Sequence, residues 1–555
     1  MATITRRNLV KAAGATAVVG AVAANVAFAA DDPTVANWLP EAWDDEADVI
    51  VIGYGGSGSI AAIEAQRQGA SVIALEKGAI RMGGNLALSS GTLHDSCGCD
   101  VEEWVRLYER GTLRCGAAPD EIRKVFEVAA DAQSWAGDYG LTLTWEDQKT
   151  AGTTWPAQQT EGQAENKGAG IWAEIDATAE AEGLDVRCSM RGKRLIQNPV
   201  TKEVLGVVAE DADGNEVAFK AKKGVIMACG GYEHNDEMLC NYNHPGIDFQ
   251  LAAHACTNNE GDGFPMAMEA GAKLWHMNDI HYGGLNFPQA AEGLGYAVSA
   301  GRGTLGGGGK QGEECGCPWI IVDRNGKRFM NESYIWAHDE NHKEAFDFST
   351  AAAFNKAQFG SASPQVQKYT DDVSCYIHLP MFMVFDQQLF DFDAELIETM
   401  TNEEALEAGY IWKADTLEEL AAMISGQAPT KLEGDAVNGV DPDALKETVA
   451  AWNSYAQAGA DPEFLRDPAH VLPLSEEGPF YAAEVCWSLD FTEGGPERNG
   501  RCQTISVWNE PIPRLYNTGE FGSFNTIVYC IGGVLQALTT GRIAGADAAS
   551  LDPWC

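Results

Sequence analysis

Basic residues are scarce in this chain. There are 38 Lys and Arg against 81 Asp and Glu, a formal charge of −43 over 555 residues. A field of that sign repels nucleic acid and anionic lipid, so neither is expected as a partner, whereas a basic electron-carrying protein would be attracted at low salt. Long hydrophobic runs are missing too. After residue 30 nothing approaches the ~20 apolar residues of a spanning helix, and stable membrane insertion is not expected. The fourteen cysteines include no C-x-x-C-H, which excludes attached c-type haem, and no pair of C-x-x-C units of the zinc-binding kind. Internal repeats and low-complexity tracts are absent. With 45% hydrophobic and 21% charged residues the composition is that of a globular protein. Its length exceeds one hydrophobic core and implies more than one domain.

The N-terminus reads as an address. Thr5-Arg6-Arg7-Asn8-Leu9-Val10-Lys11 resembles a twin-arginine export box, and the apolar run Ala12 to Ala30 is rich in Ala and Gly rather than Leu. Such a run is a good signal core and a weak anchor, and Ala27-Phe28-Ala29 offers a cleavage site. Residues 1–30 are therefore expected to be a twin-arginine signal and 31–45 a linker. The protein is expected to be exported, and then secreted or associated with the cell envelope. Export permits disulfides. Apart from Cys97-Gly98-Cys99 and Cys315-Gly316-Cys317 the cysteines are scattered. A [4Fe–4S] cluster, which needs converging soft ligands, stands beside disulfides and buried thiols as an open alternative.

Asp48 to Ile52 reads as a buried strand by its length and β-branching. A glycine turn, a helix from about Ser57 to Gly69 and a second strand, Ser71 to Glu76, complete a β-α-β unit. Helical periodicity covers 101–136 and 171–183. Val204 to Ala209 and Glu216 to Ala221 flank Asp213-Gly214, a hairpin signal. Lys222 to Ala228 reads as a further buried strand, ending in Gly230-Gly231. From about 276 to 483 the character changes: a glycine run, Gly306 to Gly309, irregular aromatic segments, then helical stretches near 401–424 and 441–458. Strand–turn–helix patterning returns from about Glu484 and ends in a small-residue helix, Gly541 to Ser550. The expected fold is α/β: a Rossmann-like dinucleotide-binding domain, discontinuous over 46–275 and 484–555, with an inserted α+β cap over 276–483.

Gly53-Tyr54-Gly55-Gly56-Ser57-Gly58 places G-x-G-x-x-G between that strand and helix. Gly53 permits the tight turn, Gly55 lets the backbone approach a pyrophosphate, and Gly58 allows close helix–strand packing. The helix N-terminus, Ser57 included, turns amides and positive dipole toward the phosphates. Glu76 ends the next strand, where its carboxylate can accept hydrogen bonds from a ribose diol. The bland alternative is a structural glycine turn; strand, helix and acid together weigh against it.

The nature of the dinucleotide comes from resemblance. Gly83-Gly84-Asn85-Leu86-Ala87-Leu88-Ser89-Ser90-Gly91 resembles the G-G-N/S segment beside the isoalloxazine in the fumarate reductase and succinate dehydrogenase flavoproteins. Val225 to Gly231, Gly261-Asp262-Gly263, Ile321 to Glu332 and Ile512 to Glu520 are similar to further segments of that family, in the same order. The resemblance implies noncovalent FAD, with Gly84, Asn85, Ser90, Gly91 and Asp262 along it. It also implies Glu520 as a second ribose or adenine contact and Gly533 in the final glycine turn. No second nucleotide-binding unit is present, which disfavours an NAD(P)H-reducing disulfide-reductase architecture.

The chain departs from the family where substrate is held. Trp336 stands where the proton-donating arginine is expected, and Val528-Tyr529-Cys530-Ile531-Gly532-Gly533 holds no carboxylate-binding arginine. The two family histidines fall near Tyr282-Gly283, with His281 offset, and near Asp490-Phe491. Without a guanidinium fork a dicarboxylate loses its bidentate partner, and aromatic replacements suit a bulkier, less charged substrate. The expected activity is hydride transfer to the activated C=C of an unsaturated carbonyl compound, such as a cardenolide-type lactone or an enone. Electrons would arrive from an external carrier, a cytochrome among the candidates. Tyr334 is the first candidate proton donor and Tyr529 the second, since a phenol with pKa about 10 can protonate or polarise at neutral pH; the alternative for each is an aromatic packing residue. Two other functions stay open: a ketosteroid-type dehydrogenase that introduces a C=C, and a flavin electron-transfer protein without its own substrate.

Overall fold

The computed structural model describes residues 38–95, 100–111, 117–148, 159–242, 255–278, 280–290, 316–332, 380–397, 400–425, 440–522, 524 and 532–554. Strand β1 (Asp45–Ile52) carries four consecutive β-branched residues that are buried, the pattern of a central parallel strand covered on both faces. Helix α1 (Gly56–Arg67) follows directly, then β2 (Val72–Leu75) and the short helix α2 (Gly84–Leu88). Helices α3 (Pro119–Ala129) and α4 (Lys167–Ala181) precede β3 (Asp185–Arg187), β4 (Arg191–Gln197), β5 (Val204–Glu210) and β6 (Glu216–Met227).

A second sheet is antiparallel. It contains β7 (Ile280–Asn286), β8 (Trp319–Val322), β9 (Met381–Asp386), β10 (Trp412–Ala414) and β11 (Phe480–Thr492) in the order β7-β11-β9-β8, with β10 also on β11. β11 serves two partners: Phe480 to Val485 pair with β9, and Cys486 to Thr492 pair with β7. It runs through position 483/484, where the sequence pattern divides the chain. Helix α5 (Pro442–Ala458) packs Leu445, Val449 and Trp452 into the core behind this sheet.

The chain then returns to the first sheet with β12 (Gln503–Ile505) and β13 (Pro511–Asn517), and closes with helix α6 (Gly533–Ala549). That sheet has eight strands: β12-β13-β6-β1-β2-β3 form one path, and β5 and β4 extend antiparallel from β6. β1 is parallel to β2 and β6, and β13 is parallel to β6. The α/β expectation and the Asp213-Gly214 hairpin are both met, the latter with Glu210 opposite Glu216. One expectation needs correcting. Glu216 to Ala221 and Lys222 to Ala228 are not two strands but one twelve-residue strand, β6. Its first half pairs with β5 and its second lies between β1 and β13. At the polar break Lys222 reaches Glu46 and Asp48 at 3.7 and 3.8 Å.

The small-residue stripe of α6 explains its seat on α1. A side-chain carbon at Gly541 would stand 2.5 Å from the Ser57 carbonyl oxygen, and one at Gly545 2.4 Å from that of Ala61. Only glycine lets the two helix backbones approach this closely, which fixes α1 from behind.

Candidate dinucleotide-binding site

The turn between β1 and α1 is built for close approach. Gly53 has φ +97°, and a side-chain carbon there would lie 2.2 Å from the Ala228 carbonyl oxygen at the end of β6; at Gly58 it would lie 2.1 Å from the Gly53 carbonyl oxygen. Substitution at either position forces backbone apart. Gly55 is the N-cap of α1; it gives no side-chain hydrogen bond, and the first turn contains no acid. The helix therefore presents its N-terminal amides and dipole without a carboxylate of its own in that turn, an arrangement that favours an anion. Ser57 is buried, with its Oγ beside Gly519.

Glu76 lies where the β-α-β unit requires it. Its Oε2 accepts from the Tyr54 amide at 3.1 Å and its Oε1 from the Gly78 amide at 2.7 Å, so the acid is oriented by the glycine loop on one side and by the turn that follows it on the other. Tyr54, inside that loop, is a clamp that sequence reasoning missed. Its hydroxyl donates to Asp176 of α4 at 3.1 Å, and its ring meets Trp172 edge-on. Burial, reinforced by Asp176, pushes the Tyr54 phenol above its ordinary range. Trp172 also fills the space that a side chain on Gly83 would need, 2.6 Å away.

The segment Gly83 to Gly91 runs beside this loop, with Gly55 and Gly83 bridged as neighbouring strand residues. Gly84 and Gly91 take φ +58° and +73°. Asn85 joins three distant parts of the chain: its Nδ2 donates to Glu520 at 2.8 Å and its Oδ1 accepts from the Cys256 amide at 2.7 Å. Ser90 Oγ accepts from Thr92 Oγ1 at 3.5 Å. Asp262 is held by Lys77 at 2.7 Å and by Arg191, with Glu260 sharing both cations. Gly533 begins α6 directly after Gly532, whose φ is +74°.

Glu520 receives the Asn85 hydrogen bond on Oε2, while its Oε1 is sealed from solvent without a partner. Burial, with Glu233 alongside, holds this carboxyl well above the usual carboxylate range. Behind the turn, Arg498 donates to the Gly519 carbonyl oxygen at 3.2 Å and pairs with Glu121 of α3 at 2.6 Å, both side chains being fully buried. Burial pushes Glu121 up to about 7 against the opposing pull of Arg498. Glu233, Glu121 and Arg498 carry no local motif. The available signal was an acid just after Gly230-Gly231.

Tyr334, Trp336 and Tyr529 lie outside the described residues. The backbone register nevertheless brings the two histidine-equivalent regions together, with His281 on β7 opposite Phe491 on β11. Cys97, Cys99 and Cys315 also lie outside the described residues. Among the described ones no group of three or more His, Cys, Asp and Glu could hold a metal ion. Cys229 is a half-buried thiol and Cys502 a buried one, and desolvation raises the pKa of both, for Cys502 to about 12. No described helix is long and apolar enough to cross a membrane.

These residues fit FAD. The loop packs backbone against backbone at Gly53 and Gly58, and it offers a helix N-terminus for a diphosphate and two oriented carboxyls, Glu76 and Glu520, for hydroxyl donors. Comparisons agree. The FAD binding domain family model matches residues 48–532. A digoxin reductase from Eggerthella lenta is 27% identical over 605 aligned positions, covering 99% of this chain and 97% of that protein. A fumarate reductase (cytochrome) from Shewanella frigidimarina is 26% identical, covering 94% of this chain and 81% of its own. A crystal structure of 3-ketosteroid Δ1-dehydrogenase from Sterolibacterium denitrificans superposes with a TM-score of 0.70 at 20% identity, covering 91% of this chain and 99% of that one.

Proposed function

Because the chain belongs to the FAD binding domain family, matched over residues 48–532, we propose that it is a flavin-dependent reductase acting on the activated C=C of a bulky, uncharged unsaturated carbonyl compound. The observation that carries the substrate class is the loss of guanidinium. Where related fumarate-reducing enzymes are expected to hold a dicarboxylate, this chain has Trp336 and Tyr529-Cys530-Ile531. Aromatic, uncharged residues at those sequence positions would favour a flat apolar substrate over a dianion. The likeness to a digoxin reductase makes a cardenolide-type lactone the first compound to try.

Noncovalently bound FAD would supply the hydride chemistry of the reaction. The chain's own residues do the rest. The α1 amides hold the diphosphate, Glu76 takes a ribose diol, and Asn85 fixes Glu520. A tyrosine of the cap, Tyr334, donates the proton to the carbon next to the carbonyl, with Tyr529 as the weaker candidate. We further propose that Arg6-Arg7 directs export and that an external carrier, a cytochrome among the candidates, delivers the electrons.

The test is an anaerobic assay of the purified holoprotein in both directions. Reduced viologen should drive consumption of an unsaturated lactone or enone. If only an oxidising dye with a saturated ketone gives turnover, the chain is a dehydrogenase. If the flavin is reduced and no unsaturated compound reoxidises it, the chain is an electron carrier. Tyr334→Phe should slow reoxidation in a single turnover and leave FAD content unchanged; an unchanged rate removes Tyr334 from the mechanism. Metal analysis of the same preparation tests the [4Fe–4S] alternative.

A further inference from the structure

Two acids meet where the first sheet touches the cap. Glu233, in the loop after β6, is 2% exposed. Its Oε1 accepts from the Thr492 amide at 2.7 Å and from Thr492 Oγ1 at 3.3 Å, at the end of β11, and its Oε2 is buried without a partner. Glu520, after β13, has one oxygen on Asn85 and the other sealed and unpartnered. The carboxyls converge over Gly231. A side-chain carbon there would stand 2.4 Å from Oε1 of Glu233 and 2.4 Å from Oε1 of Glu520. The missing side chain leaves room for the two oxygens to share one small space.

Among the described residues, the groups facing this pair carry no positive charge. They are Asn85 from α2, the Cys256 thiol and Thr492 from β11. Glu493, next to Thr492, is another buried acid. Arg498 touches the Gly519 carbonyl oxygen next door, and above about pH 7 its charge is matched by Glu121. Two carboxylates converging on one small space with no cation between them disfavour double ionisation, so Glu520 keeps its proton beside Glu233.

We propose that Glu520 stays protonated against Glu233 and that this proton is required for tight FAD binding, with Glu233 acting as the positioning residue for Glu520. The inference rests on the assignment of the cradle to FAD. With one proton the pair is compact, and Glu520 stays on Asn85, oriented to accept from a cofactor hydroxyl. Loss of that proton sets two anions against each other and adds negative charge beside a diphosphate. FAD binding therefore favours the protonated pair. Above the pH at which the FAD-free pair loses its proton, binding takes a proton up and affinity falls as pH rises.

The experiment is a fluorescence titration of the deflavinated full-length protein with FAD, from about pH 6 to about pH 9, below the range in which the flavin ring itself deprotonates. In the wild-type protein Kd should rise toward about tenfold per pH unit at the alkaline end, the limit for one coupled proton. Glu233→Gln removes one carboxylate at constant size and should bind FAD with less than about a twofold change over the same range. A flat wild-type profile, or equal slopes in both proteins, overturns the proposal. If the variant does not fold, calorimetry of the wild-type protein in two buffers of different ionisation heat decides the matter. Uptake of about one proton per FAD at alkaline pH supports the proposal, and no uptake overturns it. Failure of the wild-type protein to bind FAD at any pH would instead overturn the assignment of the cradle.

Discussion

In one cluster of the cap, buried charge is matched by buried charge. Arg328 holds Glu332 at 2.7 Å and Asp461 at 2.9 Å, Arg466 approaches Glu332 at 3.6 Å, and each of these four side chains is at most 2% exposed. Arg466 lies over the Trp319 ring and Arg328 over that of Trp452, each 4.4 Å from the ring centroid. In the parallel-sheet half, where Asp262 is paired with Lys77 and Arg191, Glu76 and Glu520 have no such counter-ion among the described residues. Glu76 is satisfied by the backbone amides of Tyr54 and Gly78, and Glu520 by one amide side chain. The contrast separates two uses of buried charge. A closed cluster fixes a structure, whereas an acid with unused hydrogen-bonding capacity at a glycine turn is arranged for something that arrives later.

Four substitutions would sharpen or break that contrast. The largest effect is expected from Arg328→Met, which leaves Glu332 and Asp461 buried with a single distant guanidinium. Breaking such a pair costs about 3–5 kcal/mol, to be read from urea unfolding. A loss below about 1 kcal/mol would mean the cluster is hydrated, and the contrast would fail. Next comes Gly58→Val, whose side chain must displace the Gly53 carbonyl oxygen 2.1 Å away. FAD affinity should fall about 100-fold, or about 2.7 kcal/mol, in an equilibrium titration; normal loading would show that the loop does not touch the cofactor. Glu76→Gln keeps the shape and removes the charge, so about a tenfold weaker FAD complex is expected by the same method. The smallest effect belongs to Tyr54→Phe. Asp176 keeps its pairing with Arg81 at 3.1 Å, and thermal unfolding should show a loss of only about 0.5–1.5 kcal/mol.

Much of the parallel-sheet half was legible because its information is local. Strand, glycine turn, helix and acid lie within one short stretch, and the Asp213-Gly214 hairpin has its own signature. The polar residues Lys222 and Lys223 looked like a strand end. They are instead where β6 changes partners, a tertiary event that period-two patterning does not encode. The acid pair was invisible for a related reason. Glu233 and Glu520 meet only after β6 and β13 pair, and the deciding feature is the missing side chain of Gly231. Tyr54 carried no local signal because its partners, Asp176 and Trp172, sit on a helix far along the chain. The boundary near 483/484 followed composition, while β11 continues through it because one long strand can pair with two neighbours in succession.

The central claim is that FAD on this scaffold reduces the C=C of an uncharged unsaturated carbonyl compound rather than a dicarboxylate. Stopped-flow reoxidation of the reduced holoprotein by an unsaturated lactone, an enone and fumarate tests it directly. The account predicts that a lactone or enone reoxidises the flavin at least about 100-fold faster than fumarate, a difference of about 2.7 kcal/mol in barrier. Fumarate reacting as fast as either, or faster, would contradict it.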